Sequence, residues 1–208
     1  MATPPRARRA DAQRNRDRIL EAARTVVDEQ GTQASLRDVA RRAGVGLGTL
    51  YRHFPTRDAL LETLLGRGFD DLAARADDLA AAGPPDEALR AWLRDFTLRA
   101  TAHHGLSASL TEALNDESSP LHASCLAMRR AGARLLEDAQ RAGHVRPDVD
   151  GLDLFSLAAA VSWVSGQSPA LAARRDHLLT LVLDGLSLTA APETPGRADP
   201  VEGERPSA

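Results

Sequence analysis

Thr49, Tyr51, Arg52 and His53 bring a hydroxyl, a phenol, a guanidinium and an imidazole into one short stretch of chain. Such groups donate hydrogen bonds to phosphate oxygens and to the acceptors that base pairs expose in the major groove, so the chemistry they support is nucleic-acid recognition. Leu50 and Phe54, four residues apart, share the opposite apolar side. This spacing predicts a helix that buries those two residues and turns the polar set outward. Gly46 and Gly48 leave little bulk at its start, which lets backbone approach phosphates or base edges. Pro55 ends the helix, because its ring excludes the helical conformation for the residue before it.

Those side chains need supporting elements. Just upstream, Leu36, Val39, Ala40 and Ala43 fall on one face of a second helical pattern. Ser35 is expected to cap it by accepting the backbone N–H of Asp38, whose carboxylate favours the positive end of the helix dipole. Gly44 stands where the chain leaves that helix and needs a left-handed conformation, after which Val45 turns back toward the core. Thr56 is placed to cap a further helix running from Arg57. A helix over about residues 13–30, with Ile19, Ala22, Ala23, Val26 and Val27 at helical spacing and Gly31 as its stop, supplies the support. This is the arrangement a helix-turn-helix DNA reader requires, although an ordinary three-helix bundle with a solvated basic face meets the same pattern.

The stretch DVARRAGVGLGTLYRHFPTRDALL resembles the N-terminal domain of the TetR/AcrR family of transcriptional regulators, and the resemblance covers about residues 13–65. It implies an all-α fold, with an N-terminal three-helix helix-turn-helix DNA-binding bundle followed by a helical ligand-binding and dimerisation domain. The function it implies is that of a dimeric repressor, released from a pseudo-palindromic operator on double-stranded DNA by a small-molecule effector. By the same resemblance Gly48 and Thr49 read bases, while Tyr51, His53 and Arg57 bind phosphate. Ser35 and Arg37 match further phosphate or base contacts, and Arg52 shares the surface. Gly46 and Leu47 depart from the pattern, standing where many family members have serine or lysine, and this removes polar contacts.

Composition agrees with a DNA-binding head on a different body. The chain has 208 residues, 43% of them hydrophobic and 3% aromatic, so leucine, valine and alanine must supply most of the packing. All 26 basic residues are arginine, which reads as codon bias and is not itself evidence of DNA binding. Residues 1–60 hold 12 arginines against 7 acids, a balance of +5, and the remainder holds 14 against 22, a balance of −8. A basic head and an acidic body direct the head to nucleic acid. The single Cys125 excludes an internal disulfide, and no Cys/His cluster has metal spacing, so neither a metal nor a cofactor is expected. The N-terminus is basic with no apolar run behind it and no stretch approaches the length of a membrane span, which predicts a cytoplasmic protein with no membrane partner.

Four domain segments are expected: a flexible basic arm over 1–12, the DNA-binding domain over 13–65, a helical effector-binding and dimerisation domain over 66–188, and a disordered tail over 189–208. The helix from Thr56 continues past the small bundle, with Gly66 and Gly68 as candidate points of bending or close packing. AAGPPDE, residues 81–87, is the clearest break. Further helical patterns cover about 86–103, 106–115, 120–142, 150–166 and 171–188.

Two of these are apolar on more than one face. Leu154, Phe155 and Val161 in one, and Leu178, Leu179, Val182 and Leu186 in the other, fit a four-helix interface between two copies. The family likeness also implies an effector pocket, for which Trp92, Phe96, His103, Leu110, Leu114, Cys125, Met128 and Trp163 are candidate linings; they fit an apolar or weakly polar small molecule. Adjacent His103 and His104 point about 100° apart on a helix and are poor co-ligands for a metal. A small helical enzyme is the rival class, but the chain has no nucleophile elbow, phosphate loop or supported Ser/His pairing, so no enzyme is expected. An interaction module without DNA binding is the other rival.

Overall fold

The computed structural model describes residues 5–31, 34–101 and 108–188. Helices α1 (Pro5–Gln30), α2 (Leu36–Ala43) and α3 (Leu47–His53) form the head, and α4 (Arg57–Ala82) leads out of it. The body is α5 (Pro85–Thr101), α6 (Ala108–Asn115), α7 (Pro120–Arg141), α8 (Gly151–Ser165), α9 (Pro169–Ala172) and α10 (Arg175–Leu186). The expected all-helical class therefore holds.

The expected arm is corrected in part, because α1 starts at Pro5 and residues 5–12 are helical. Proline suits a first helical position, where its missing N–H would be unbonded anyway, and nothing in RARRADAQ breaks the helix that follows. The segment 189–208, expected as a disordered tail, lies outside the described residues, as does His103.

Two hydrophobic cores share α4. Its first half gives Leu60, Leu61, Leu64 and Leu65 to the head core beside Ile19, Leu50 and Phe54. Its second half gives Leu72 and Ala76 to the body core beside Trp92, Leu135 and Leu154. Thr56 caps α4 as expected, its hydroxyl accepting from Ala59 N at 3.0 Å. Gly66 and Gly68 interrupt nothing: the helix runs through both, and a side chain at Gly68 would meet no atom within 4 Å. The expected break at 81–87 narrows to Gly83 and Pro84 between α4 and α5.

The head core does not stop at the head. Leu110 of α6 and Leu121 of α7 are buried in it, and Ser109 of α6 bonds Asp58 in the first turn of α4. At the far end of the body, Val145 and Ser187 form an isolated antiparallel bridge that ties the end of α10 to the α7–α8 connection. Asp150 and Asp153 close a capping box at the start of α8.

α8 and α10 set the residues expected at the interface largely against the core of their own chain. Leu154, Phe155, Val161 and Leu179 are buried in the core of their own chain, and Leu178, Val182 and Leu186 pack half-buried against it. The large apolar side chains of these two helices that are exposed are Leu152, Leu157, Trp163 and Leu181. Both faces of each helix are apolar, and the sequence alone does not say which one the body claims.

Candidate nucleic-acid interface

The head is built to hold α3 outward. Leu50 and Phe54 are buried to within 1% of fully, which fixes the inner side of this helix. α1 braces it from behind: the Arg16 guanidinium lies 4.8 Å from the centre of the Phe54 ring, and Arg18 Nη2 donates to Ala43 O at 2.6 Å. Arg42 of α2 pairs with Glu29 of α1 at 2.9 Å. Asp17 of α1 pairs with Arg67 of α4 at 2.7 Å, and that guanidinium, with Gln13 behind it, lowers the Asp17 pKa.

The turn between α2 and α3 follows its sequence. Gly44 adopts φ 63° and ψ 35°, and Val45 N returns to Ala40 O at 3.0 Å. Gly44→Ala forces a side chain into a left-handed backbone and sets its Cβ 2.8 Å from Arg18 Nη2. We expect this variant to lose about 1–2 kcal/mol of stability, read by chemical denaturation followed by circular dichroism. An unchanged midpoint would show that the turn accepts another conformation.

One local expectation fails. Ser35 precedes α2 with extended backbone, but its side chain makes no cap bond. Its carbonyl accepts Val39 N at 3.0 Å instead, so the backbone alone starts the helix.

The expected DNA-contacting residues come together on one side of the head. Gly48, Tyr51 and Arg52 of α3 are exposed, and Thr49 and His53 flank them half-buried. Arg52 folds back along α3, its Nε donating to Gly48 O at 3.2 Å and its Nη2 to Thr49 Oγ1 at 3.0 Å. Ser35 and Arg37 stand at the start of α2, Arg37 exposed, and Arg57 begins α4 immediately after the Thr56 cap. Polar, cationic and aromatic groups on a short helix backed by a rigid core are suited to a groove of DNA.

The expected effector residues do not form one site. Trp92, Phe96, Cys125 and Met128 meet in the body core, where Trp92 stacks on Phe96 and meets Phe155 edge-on, each at 5.8 Å between ring centres. Leu110 and Leu114 belong to the head core, because α6 packs toward the start of α4 and α7. Trp163 is 59% exposed on the outside of α8 and lines no interior. A cleft of 920 Å³ lies elsewhere, between α1 and the body, and its walls are mixed: Asp17, Glu21, Arg24, Arg75, Arg99 and Arg175 stand among Leu20, Val27, Leu64 and Leu98. Sequence reasoning missed it because its lining comes from helices far apart in the chain.

Residues 19–64 match the bacterial regulatory proteins of the tetR family, and residues 84–188 match the C-terminal domain of SbtR-like transcriptional regulators. The crystal structure of the TetR transcriptional regulator SCO0520 from Streptomyces coelicolor superposes with a TM-score of 0.69 at 41% identity, covering 84% of this chain and 99% of that one. The chain belongs to the TetR family. A TetR transcription regulatory protein from Mycobacterium vanbaalenii is similar, with a TM-score of 0.60 at 35% identity over 86% of this chain and 99% of that one. Among curated relatives, the repressor KstR of Mycolicibacterium smegmatis is 45% identical over 76 residues, 36% of this chain and 37% of that protein. This match spans only about a third of the relative. KstR2 of Rhodococcus jostii, also a transcriptional repressor, is 27% identical over 90% of this chain and 98% of its own length. In a TetR-family chain the head described above is the DNA-binding domain, and no helix among its described residues is long and apolar enough to cross a membrane.

Proposed function

We propose that this TetR-family chain is a sequence-specific repressor that binds double-stranded DNA as a homodimer in the cytoplasm and leaves its operator when a small molecule binds the body. The outward side of α3 carries the reading: a polar, cationic and aromatic surface held by the fully buried Leu50. A single helix in the major groove touches few base pairs, so two heads at a spacing of one or more helical turns are needed for useful specificity. Leu157, Trp163 and Leu181, apolar and exposed on the adjacent helices α8 and α10, supply the surface that a second copy covers. A dimer seated on a promoter excludes polymerase, and an effector favouring another head separation releases it. The chain acts by binding, with no catalytic role and no cofactor.

Within this reading the effector is apolar or weakly polar and enters beside Phe96 and Cys125, the half-buried members of the aromatic body core.

Titrating salt against the protein on its own upstream DNA tests the proposal. Specific binding should fall steeply as salt rises, since each phosphate contact contributes about −0.9 to the log–log slope. A chain that retains no DNA even at low salt would sink the reading. Tyr51 is 46% exposed, so Tyr51→Ala should keep the fold. It should weaken binding about fivefold, the worth of one hydrogen bond, equally on operator and scrambled DNA in fluorescence anisotropy. A loss confined to the operator would make Tyr51 a base reader instead.

A further inference from the structure

We propose that Arg52 is the residue through which the head reads sequence, taking a guanine in the major groove, and that Thr49 acts by positioning Arg52 rather than by touching a base. This deepens the DNA-binding function proposed above and rests on it.

The direction of Arg52 follows from the burial of Leu50. Leu50 is fully buried and marks the inner side of α3. At about 100° per residue, Gly48 and Arg52 lie roughly 200° from it in opposite senses, so both point almost straight away from the bundle. Thr49 and Tyr51, about 100° round, stand on the flanks. A helix seated in the major groove turns its outermost residues to the base edges and its flanks to the two walls. Gly48 has no side chain to offer, and at Gly46 and Gly48 an added Cβ would meet no atom within 4 Å. Base reading on this outer line therefore falls to Arg52.

Its guanidinium is already set for the task. The bonds to Gly48 O at 3.2 Å and to Thr49 Oγ1 at 3.0 Å hold the Nε side of the group against the helix. Among the described residues Nη1 has no partner, so the edge formed by Nη1 and Nη2 faces outward with two parallel N–H groups. Two parallel donors match O6 and N7 of guanine, a pairing that a single ammonium cannot reproduce. Fixing the side chain beforehand removes part of the ordering cost of binding. Of the cations on α2, Arg41 is held by Asp38 at 2.7 Å and Arg42 by Glu29 at 2.9 Å, while Arg37 is exposed at the start of the helix.

The test is selection of DNA from a random pool by the full-length protein and by R52A, R52K, T49V and T49S, with each affinity then measured on the selected site. The parent should select a half-site containing one strongly preferred G·C pair. R52A and R52K should both lose discrimination at that pair, by roughly 5- to 150-fold, while preferences elsewhere persist. R52K keeps the charge, so it should lose less affinity for scrambled DNA than R52A does. T49V should weaken discrimination at the same pair without changing the preferred base, and T49S, which restores the acceptor, should recover it. An unchanged consensus in R52A, with affinity falling evenly and the salt slope dropping by about one, would make Arg52 a phosphate contact and overturn the assignment. A new preferred base in T49V would overturn the positioning role of Thr49. A parent that selects no sequence overturns the DNA-binding reading itself, and so is distinct from a selecting parent whose Arg52 variants select alike.

Discussion

A chain carrying Trp163→Asp and Leu181→Asp is expected to sediment as a monomer and to bind its operator on the order of 100-fold more weakly than the parent. These residues are 59% and 56% exposed, so in one chain each substitution puts a carboxylate into water. In the proposed dimer each carboxylate is trapped in an apolar seam, and two copies double the charge there. The loss of DNA affinity follows from linkage of the two heads. Once one head is bound, the second binds as an intramolecular event, which raises affinity about 10²–10⁴-fold over a single module. The alanine variants of the same positions should show intermediate behaviour. Sedimentation velocity across a concentration series reads the assembly, and a thermal melt confirms that the monomer is folded. A double-aspartate chain that remains dimeric would place the interface on another face.

The second large effect is in the body core. Trp92→Ala should lower stability by about 3–5 kcal/mol, enough to bring the melting temperature down on the order of 10 °C. The side chain is fully buried, and its ring is held on three sides. Phe96 stacks on it at an interplanar angle of 15°, Phe155 meets it at 81°, and Nε1 donates to Leu72 O at 2.8 Å. The fourth side is Gly132 of α7, where an added Cβ would come within 2.6 Å of the indole and 2.8 Å of the Phe155 ring. Gly132 is therefore the gap into which the indole fits. Trp92→Phe keeps most of the ring packing but leaves Leu72 O without the indole donor, and should lose distinctly less than the alanine variant. Equal losses for the two would mean that the hydrogen bond, and not the ring, dominates.

The head was far more legible in the sequence than the body, and the reason is locality. Gly44, Thr56 and Pro55 act on residues within one turn of themselves, so the turn, the cap and the end of α3 follow from nearest neighbours. Leu50 and Phe54 likewise fix the inner side of α3 without reference to distant segments. Ser35 misled because cap chemistry states which bond is available, not which rotamer the side chain takes. In the body the helices were readable but their faces were not. On α8, Leu154 and Leu157 differ only by a rotation, and only the packing of α5 and α10 decides that Leu154 turns inward. Leu110 and Leu114, expected to line the pocket with Trp92 and Phe96, lie apart from them for a similar reason. Their assignment to the head core depends on where α6 lands, which no periodicity within its own residues expresses.

In the proposed repressor α4 serves as a lever. With 26 residues at 1.5 Å each it is about 39 Å long, and it is anchored at one end among Leu60, Leu61 and Leu64 and at the other around Leu72 and Ala76. A tilt of about 5° at the body end sweeps the head end through roughly 3.4 Å, the rise along the DNA axis from one base pair to the next. In a two-fold assembly both arms swing, and the gap between the heads changes by about twice that distance. In the proposed repressor, an adjustment inside the body no larger than a side-chain rearrangement would thus be amplified into a mismatch of about two base pairs at the operator.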